Sequence, residues 1–178
     1  MDMVSYNTSS RDDACYLYPT VNTIFIGGET MNTASLDKLY IGWDDIERIV
    51  DQLTISIEMS RESKPLQKII GISRGGLIPG VMLSQRLNVP FEPLQWQTRD
   101  GNFKDTLQLL SSKYEDQDDI LFVDDICDSG LTVQQIRGVV PDSQWAVCYS
   151  KKGNLHLDFE GERLYNNTQW LVFPWETE

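Results

Sequence analysis

The chain alternates two kinds of apolar pattern. Apolar runs at 120–123, 145–149 and 170–173 are the signature of strands buried on both faces, and the shorter apolar segments at 68–73 and 91–97 read as further strands. Between them, apolar residues recur at helical spacing. Trp43, Ile46, Ile49, Val50, Leu53 and Ile57 make one stripe, with Asp44, Asp45 and Glu47 loading the first turn with negative charge, where the helix dipole favours it. Trp43 is expected in the core with the rest of that stripe. Residues 77–88 and 133–137 read as further helices, each fed by a strand through a short turn. This order predicts an α/β fold, a central parallel β-sheet flanked by helices. Residues 98–119 are polar and charged, contain Gly101, and offer only Leu107, Leu109 and Leu110 as an apolar cluster. They are expected to form a flexible loop. Residues 1–35 are rich in Ser, Thr, Asn and Asp, with a β-prone patch at 21–26 before Gly27 and Gly28. They read as an N-terminal extension, partly disordered or an edge hairpin, ahead of one domain at 36–178.

Composition narrows the function classes. A net charge of −12 with only 15 basic residues argues against a nucleic-acid face, which needs clustered Lys and Arg. Cys15, Cys127 and Cys148 have neither disulfide-framework nor zinc spacing, which suits a reducing cytoplasm. No apolar run is long enough to predict a membrane span. His156, the single histidine, has no nucleophile or metal cluster near it in sequence and reads as a surface residue. P-loop and dinucleotide glycine fingerprints are absent.

The chemistry concentrates after the run at 120–123. Asp124, Asp125 and Asp128 follow it, then Ser129, Gly130, Leu131 and Thr132 lead into a helix. Backbone N–H groups and two hydroxyls at such a turn suit a phosphate. The carboxylates would repel a bare phosphate, so they point to sugar hydroxyls, a metal or a developing cation. For any single one of the three Asp residues, a strand end (Asp124, Asp125) or a helix cap (Asp128) is the better explanation. Together they indicate a phosphorylated ribose. One strand earlier, Ser73, Arg74, Gly75 and Gly76 read either as a diphosphate loop, with glycines permitting unusual backbone and close ligand approach, or as a structural turn. Ser150, Lys151, Lys152 and Gly153 form a basic turn after another strand. Trp170 either stacks on a flat ring or caps the core.

The segments Ile72-Ser-Arg-Gly-Gly-Leu-Ile-Pro-Gly80, Val123-Asp-Asp-Ile-Cys-Asp-Ser-Gly-Leu-Thr132, Ser150-Lys151 and Trp170 with Pro174-Trp175 resemble, in order and spacing, the type I phosphoribosyltransferases, bacterial xanthine-guanine enzymes above all. The resemblance covers residues 38–178. It implies a parallel sheet with a small hood, and transfer of ribose 5-phosphate from phosphoribosyl diphosphate to guanine, xanthine or hypoxanthine, with Mg2+. It also implies a homo-oligomer, dimer or tetramer, while the charge balance and the short apolar runs already speak against a nucleic-acid or membrane partner. Carried over by position, Asp128 is the general base. Asp128, Ser129, Gly130, Leu131 and Thr132 hold the 5′-phosphate, Asp124 and Asp125 the ribose, and Asp125 the metal. Ser73, Arg74, Gly75 and Gly76 hold the diphosphate; Arg99 and Lys104, read from the 98–119 stretch itself, are either further diphosphate contacts or solvated surface charges. Lys151, Trp170 and Leu171 hold the base. Two departures stand out: Leu131 replaces a frequent second glycine, and the hood sequence at 97–101 is unusual. They leave open a regulatory nucleotide or phosphoribosyl-diphosphate sensor on the same fold, or an enzyme for another base.

Overall fold

A computed structural model describes residues 25–26, 29–30, 37–61, 65–96, 103–114, 119–153 and 155–176. The chain forms two units, 1–36 and 37–178. In the first, β1 (Phe25–Ile26) pairs antiparallel with β2 (Glu29–Thr30). The disorder expected near the N-terminus lies outside the described residues.

The second unit opens with β3 (Lys38–Tyr40) and α1 (Trp43–Arg61). The predicted stripe accounts for the helix, because Ile46, Ile49, Val50, Leu53 and Ile57 are all buried. Asp45 closes the helix start by accepting the Gly42 N–H at 3.1 Å. Trp43 corrects the expectation: half of it is exposed. As the first helical residue it lies beyond the end of the buried stripe and rests instead on Trp175, ring centroids 5.9 Å apart.

β4 (Lys68–Ile72), α2 (Leu77–Leu87), β5 (Phe91–Leu94), α3 (Phe103–Tyr114), β6 (Ile120–Cys127), α4 (Leu131–Arg137), β7 (Gln144–Ser150) and β8 (Phe159–Arg163) follow. The central sheet is parallel throughout, in the order β5-β4-β6-β7-β8. Strand alternation divides the core into two layers. Leu121 and Val123 of β6 join the α1 and α2 side, with Ile49, Leu53 and Leu83. Ile120 and Phe122 join the α3 and α4 side, with Leu110, Val133 and Ile136.

Three elements differ from expectation. The presumed loop at 98–119 contains α3, whose Leu110 and Tyr114 are buried. Residues three and four apart, Leu107, Leu110 and Tyr114, give it an apolar side. β6 does not stop at Val123 but carries Asp124 and Asp125 within the strand, paired along β7 with Asp124 opposite Val147. β8 is an added edge strand with a largely polar sequence. Away from the main sheet, β3 pairs in parallel with β9 (Trp170–Val172), placing Lys38 opposite Trp170 and Leu39 opposite Leu171. No helix among the described residues is long and apolar enough to cross a membrane.

Candidate active site

From β4 the chain runs outward to β5, then returns across β4 to β6. This reversal opens a crevice at the C-terminal ends of β4 and β6, where open parallel sheets bind ligands. The turn at 73–76 leaves β4 and the acidic block leaves β6, so both sequence motifs meet at that crevice.

After β6 the chain forms a cradle of about 110 Å³ whose lining includes Asp124, Asp128, Ser129, Gly130, Leu131 and Thr132. Gly130 is left-handed, φ 78°, and a Cβ there would stand 2.9 Å from the Leu155 side chain. The left-handed backbone favours glycine at this position, and the close side chain adds to it. Leu131, by contrast, is the first residue of α4 and points outward, 45% exposed, so no second glycine is needed. Ser129 Oγ accepts the Leu131 N–H at 3.3 Å. Asp128 is exposed and does not cap α4, whose N-cap is Gly130. Its carboxylate makes no hydrogen bond or ion pair among the described residues. Burial pushes the neighbouring Cys127 thiol up to about 11, so it is a poor nucleophile.

Asp124 and Asp125 are consecutive in β6, Asp124 lining this cradle and Asp125 a larger cavity. Burial, reinforced by the charge of Asp125, holds the Asp124 carboxyl well above the usual range; burial pushes Asp125 up to about 6. No cation pairs with either among the described residues. The 73–76 turn packs directly on them. A Cβ on Gly75 would fall 1.7 Å from Asp125 Oδ2, and one on Gly76 would fall 2.2 Å from the Val123 carbonyl oxygen. Close approach of two chain segments therefore demands glycine at 76, where the obstacle is main chain, and favours it at 75, where the obstacle is a side chain. Gly76 has φ −68°, so the positive-φ explanation offered by its sequence context does not apply to it. Ser73 is structural in part: its Oγ accepts the Trp96 N–H at 3.2 Å. Arg74 is exposed, and with Gly75 it lines a second cavity.

That cavity, about 680 Å³, falls within the usual size range of small-molecule sites. Its wall also includes Lys38, Asp125, Trp170, Trp175 and Glu176. Trp170 is 47% exposed, which favours a ring face open to a ligand over a core cap. Trp175, also in the cavity wall, stacks on Phe173 with ring centroids 5.0 Å apart. Leu171 is buried, so its side chain serves packing. Trp170 N–H donates to Asp37 O and Val172 O accepts from Ile41 N–H. By strand alternation, the Leu171 peptide groups therefore face away from β3. Lys151 is tied to both regions: its N–H donates to Cys127 O at 2.9 Å, and its ammonium donates to Gln169 O at 2.5 Å.

The motif residues of β4 and β6 thus converge. Arg99 lies outside the described residues, and Lys104 is an exposed residue of the first turn of α3 that lines neither cavity. Lys38 and Glu176 line the site although the sequence reading did not select them. Lys38 sits in a strand of three residues, too short to show a period, and only its register with Trp170 reveals it.

Residues 42–137 match the phosphoribosyl transferase domain family. The chain is 26% identical over 144 residues to a xanthine-guanine phosphoribosyltransferase of Nitratidesulfovibrio vulgaris, covering 78% of this chain and 84% of that one. It is 28% identical over 148 residues to the enzyme of that name from Idiomarina loihiensis, covering 78% and 87%. A crystal structure of a purine phosphoribosyltransferase from Pyrococcus horikoshii superimposes with a TM-score of 0.59 at 27% identity, covering 80% of this chain and 95% of that one.

Proposed function

The chain belongs to the phosphoribosyltransferase family, and from that premise we infer that it transfers ribose 5-phosphate from phosphoribosyl diphosphate to a 6-oxopurine, releasing diphosphate, as in purine salvage. The observation that carries this reading is that residues of both motifs line cavities: Asp124 and 128–132 the phosphate cradle, and Arg74, Gly75 and Asp125 the larger cavity with Trp170, whose neighbour Gln169 accepts from the Lys151 ammonium.

Each residue has a physical task. Amides and hydroxyls at 129–132 receive the 5′-phosphate, and Arg74 receives the diphosphate with its guanidinium. Asp124 and Asp125 accept from the ribose hydroxyls, and the Asp125 carboxylate, which a value of about 6 leaves charged near neutral pH, favours the positive ring that develops as diphosphate leaves C1. Trp170 covers one face of the purine, and Lys151 donates to its 6-oxygen. Asp128, uncommitted to any described partner, takes the proton from the purine as the new C–N bond forms.

Mg2+ fits this donor set. Carboxylate oxygens are its preferred protein ligands, and it commonly takes one or two of them with the rest from substrate phosphate and water. No larger cluster of metal-binding side chains occurs among the described residues. Asp125 would contribute the carboxylate, and the bound ion would neutralise charge on the departing diphosphate.

The test is a panel of guanine, xanthine, hypoxanthine and adenine with phosphoribosyl diphosphate and Mg2+, with nucleotide product measured directly. At least one oxopurine should be converted. Failure to convert any base, with ligand binding intact, would replace the enzyme with a sensor. Asp128→Asn should lower turnover by about 10² to 10⁴ while leaving folding nearly unchanged, the usual contribution of a positioned base.

A further inference from the structure

Gln169 immediately precedes Trp170, and all of its polar groups are committed. Its main-chain carbonyl accepts from the Lys151 ammonium, and its N–H donates to Asn167 Oδ1 at 2.7 Å. Its side-chain oxygen accepts from Asn167 Nδ2 at 3.1 Å, and its Nε2 donates to Asp37 Oδ2 at 3.0 Å. A carboxylate only accepts, so the contact with Asp37 fixes which way the Gln169 amide points. Asp37 closes the circuit, because its own carbonyl accepts the Trp170 N–H at 2.7 Å. Asn167 is anchored in turn through its N–H to Leu164 O at 3.0 Å, beside Asn166 in a left-handed conformation, φ 62°.

We propose that Asp37, Asn167 and Gln169 form a positioning network that holds the Lys151 ammonium beside Trp170 and so sets the preference for a 6-oxo over a 6-amino purine. This rests on the reading of Lys151 and Trp170 as the base contacts. A lysine ammonium on its flexible stem must lose freedom before it can read a substrate atom. The Gln169 carbonyl imposes that order before any base arrives, which is preorganisation. An ammonium carries three donors and no acceptor. One donor is spent on Gln169, and those remaining can pair with an oxygen at purine C6 but only oppose an amino group. Such rejection lasts only while the lysine cannot swing aside, so discrimination depends on the anchor as well as on the charge.

The network reaches Lys151 through main chain that the Gln169 side chain holds in place, so side-chain substitutions test it. In Gln169→Ala the KM for the preferred oxopurine should rise about tenfold, the effect of roughly one net hydrogen bond. The kcat and the KM for phosphoribosyl diphosphate should stay close to wild type. Asp37→Ala should act in the same direction, whereas Asp37→Asn, which keeps an acceptor oxygen, should restore the wild-type value. Placed on Lys151→Met, Gln169→Ala should change the base KM no further, because contacting groups that act through one another are not additive. An equal rise in the KM for phosphoribosyl diphosphate, or full additivity with Lys151→Met, would overturn the proposal. A second readout needs no catalysis: in NMR of the lysine ammonium groups of the full chain, the Lys151 signal should be ordered in wild type and exchange-broadened in Gln169→Ala. An unchanged signal refutes the network even if the wild-type protein transfers nothing, and absence of transfer with a broadened signal refutes only the assigned activity.

Discussion

Adjacent glycines in the β4 turn give separable predictions, because an added methyl group would meet different neighbours. At Gly76 the obstacles are main-chain atoms, Val123 O at 2.2 Å and Asp124 Cα at 2.8 Å, which cannot swing away. Gly76→Ala should therefore lose about 3 kcal/mol of stability, the upper end of what overpacking costs, read from urea denaturation. At Gly75 the obstacle is the Asp125 carboxyl, its Oδ2 1.7 Å from the added carbon, which a side-chain rotation relieves. Gly75→Ala should cost less stability, about 1 kcal/mol, but turnover should fall by about 10² because a reacting group is misplaced. If Gly75→Ala kept full turnover, the Asp125 carboxyl would have no positional role in transfer. The sequence located both glycines and the carboxylates, since each is local to its motif. It did not show that one motif lies on the other, which depends on β4 and β6 being neighbours in the sheet.

At the scale of elements, α3 is held to the sheet edge by a polar clamp. Glu92 of β5 accepts from Tyr114 Oη at 2.8 Å, from Lys68 Nζ at 3.2 Å, and from Lys113 Nζ. Burial pushes the Glu92 carboxyl up, but the hydrogen bonds from Lys113, Tyr114 and Lys68 outweigh it and bring it down to about 2. Because the folded value lies below the ordinary 4.5, the clamp contributes fully above that pH and its contribution is lost as pH falls toward about 2. Glu92→Gln should therefore cost about 1 kcal/mol near neutral pH, a modest figure because a third of the side chain meets solvent, and the difference from wild type should shrink steadily in acid. Denaturant titrations of both proteins across that range measure it; a difference independent of pH would mean that the clamp acts by shape and not by charge. This helix also shows why some elements escaped the sequence. The α1 stripe has five buried positions and is unmistakable. In α3 the stripe of Leu107, Leu110 and Tyr114 is blurred by exposed Leu109 and a charged surround. β3, with three residues, is too short for periodicity, and β8 is too polar to read as buried.

Over the whole molecule, an acidic protein is asked to bind a substrate bearing several phosphate charges. The net charge is −12, and Asp124, Asp125, Asp128 and Glu176 all line the two cavities, against Arg74 and Lys38. Like charges repel strongly in a partly buried site, and at Asp124 the charge of Asp125 adds to burial, the larger cause, in holding the carboxyl above its usual range. A divalent cation between carboxylate and diphosphate reverses the sign of that interaction. Without Mg2+ the affinity for phosphoribosyl diphosphate should therefore fall by about tenfold or more, read by calorimetry with and without chelator. Asp125→Asn gives the sharper outcome. Removing one negative charge should tighten metal-free binding while cancelling most of the gain from Mg2+, so the two affinities draw together. The same substitution should stabilise the free protein, since a carboxyl whose ionisation is opposed by burial is replaced by a neutral group of similar shape. A variant that bound the substrate more weakly in chelator than wild type would show that Asp125 acts on the ribose hydroxyls alone.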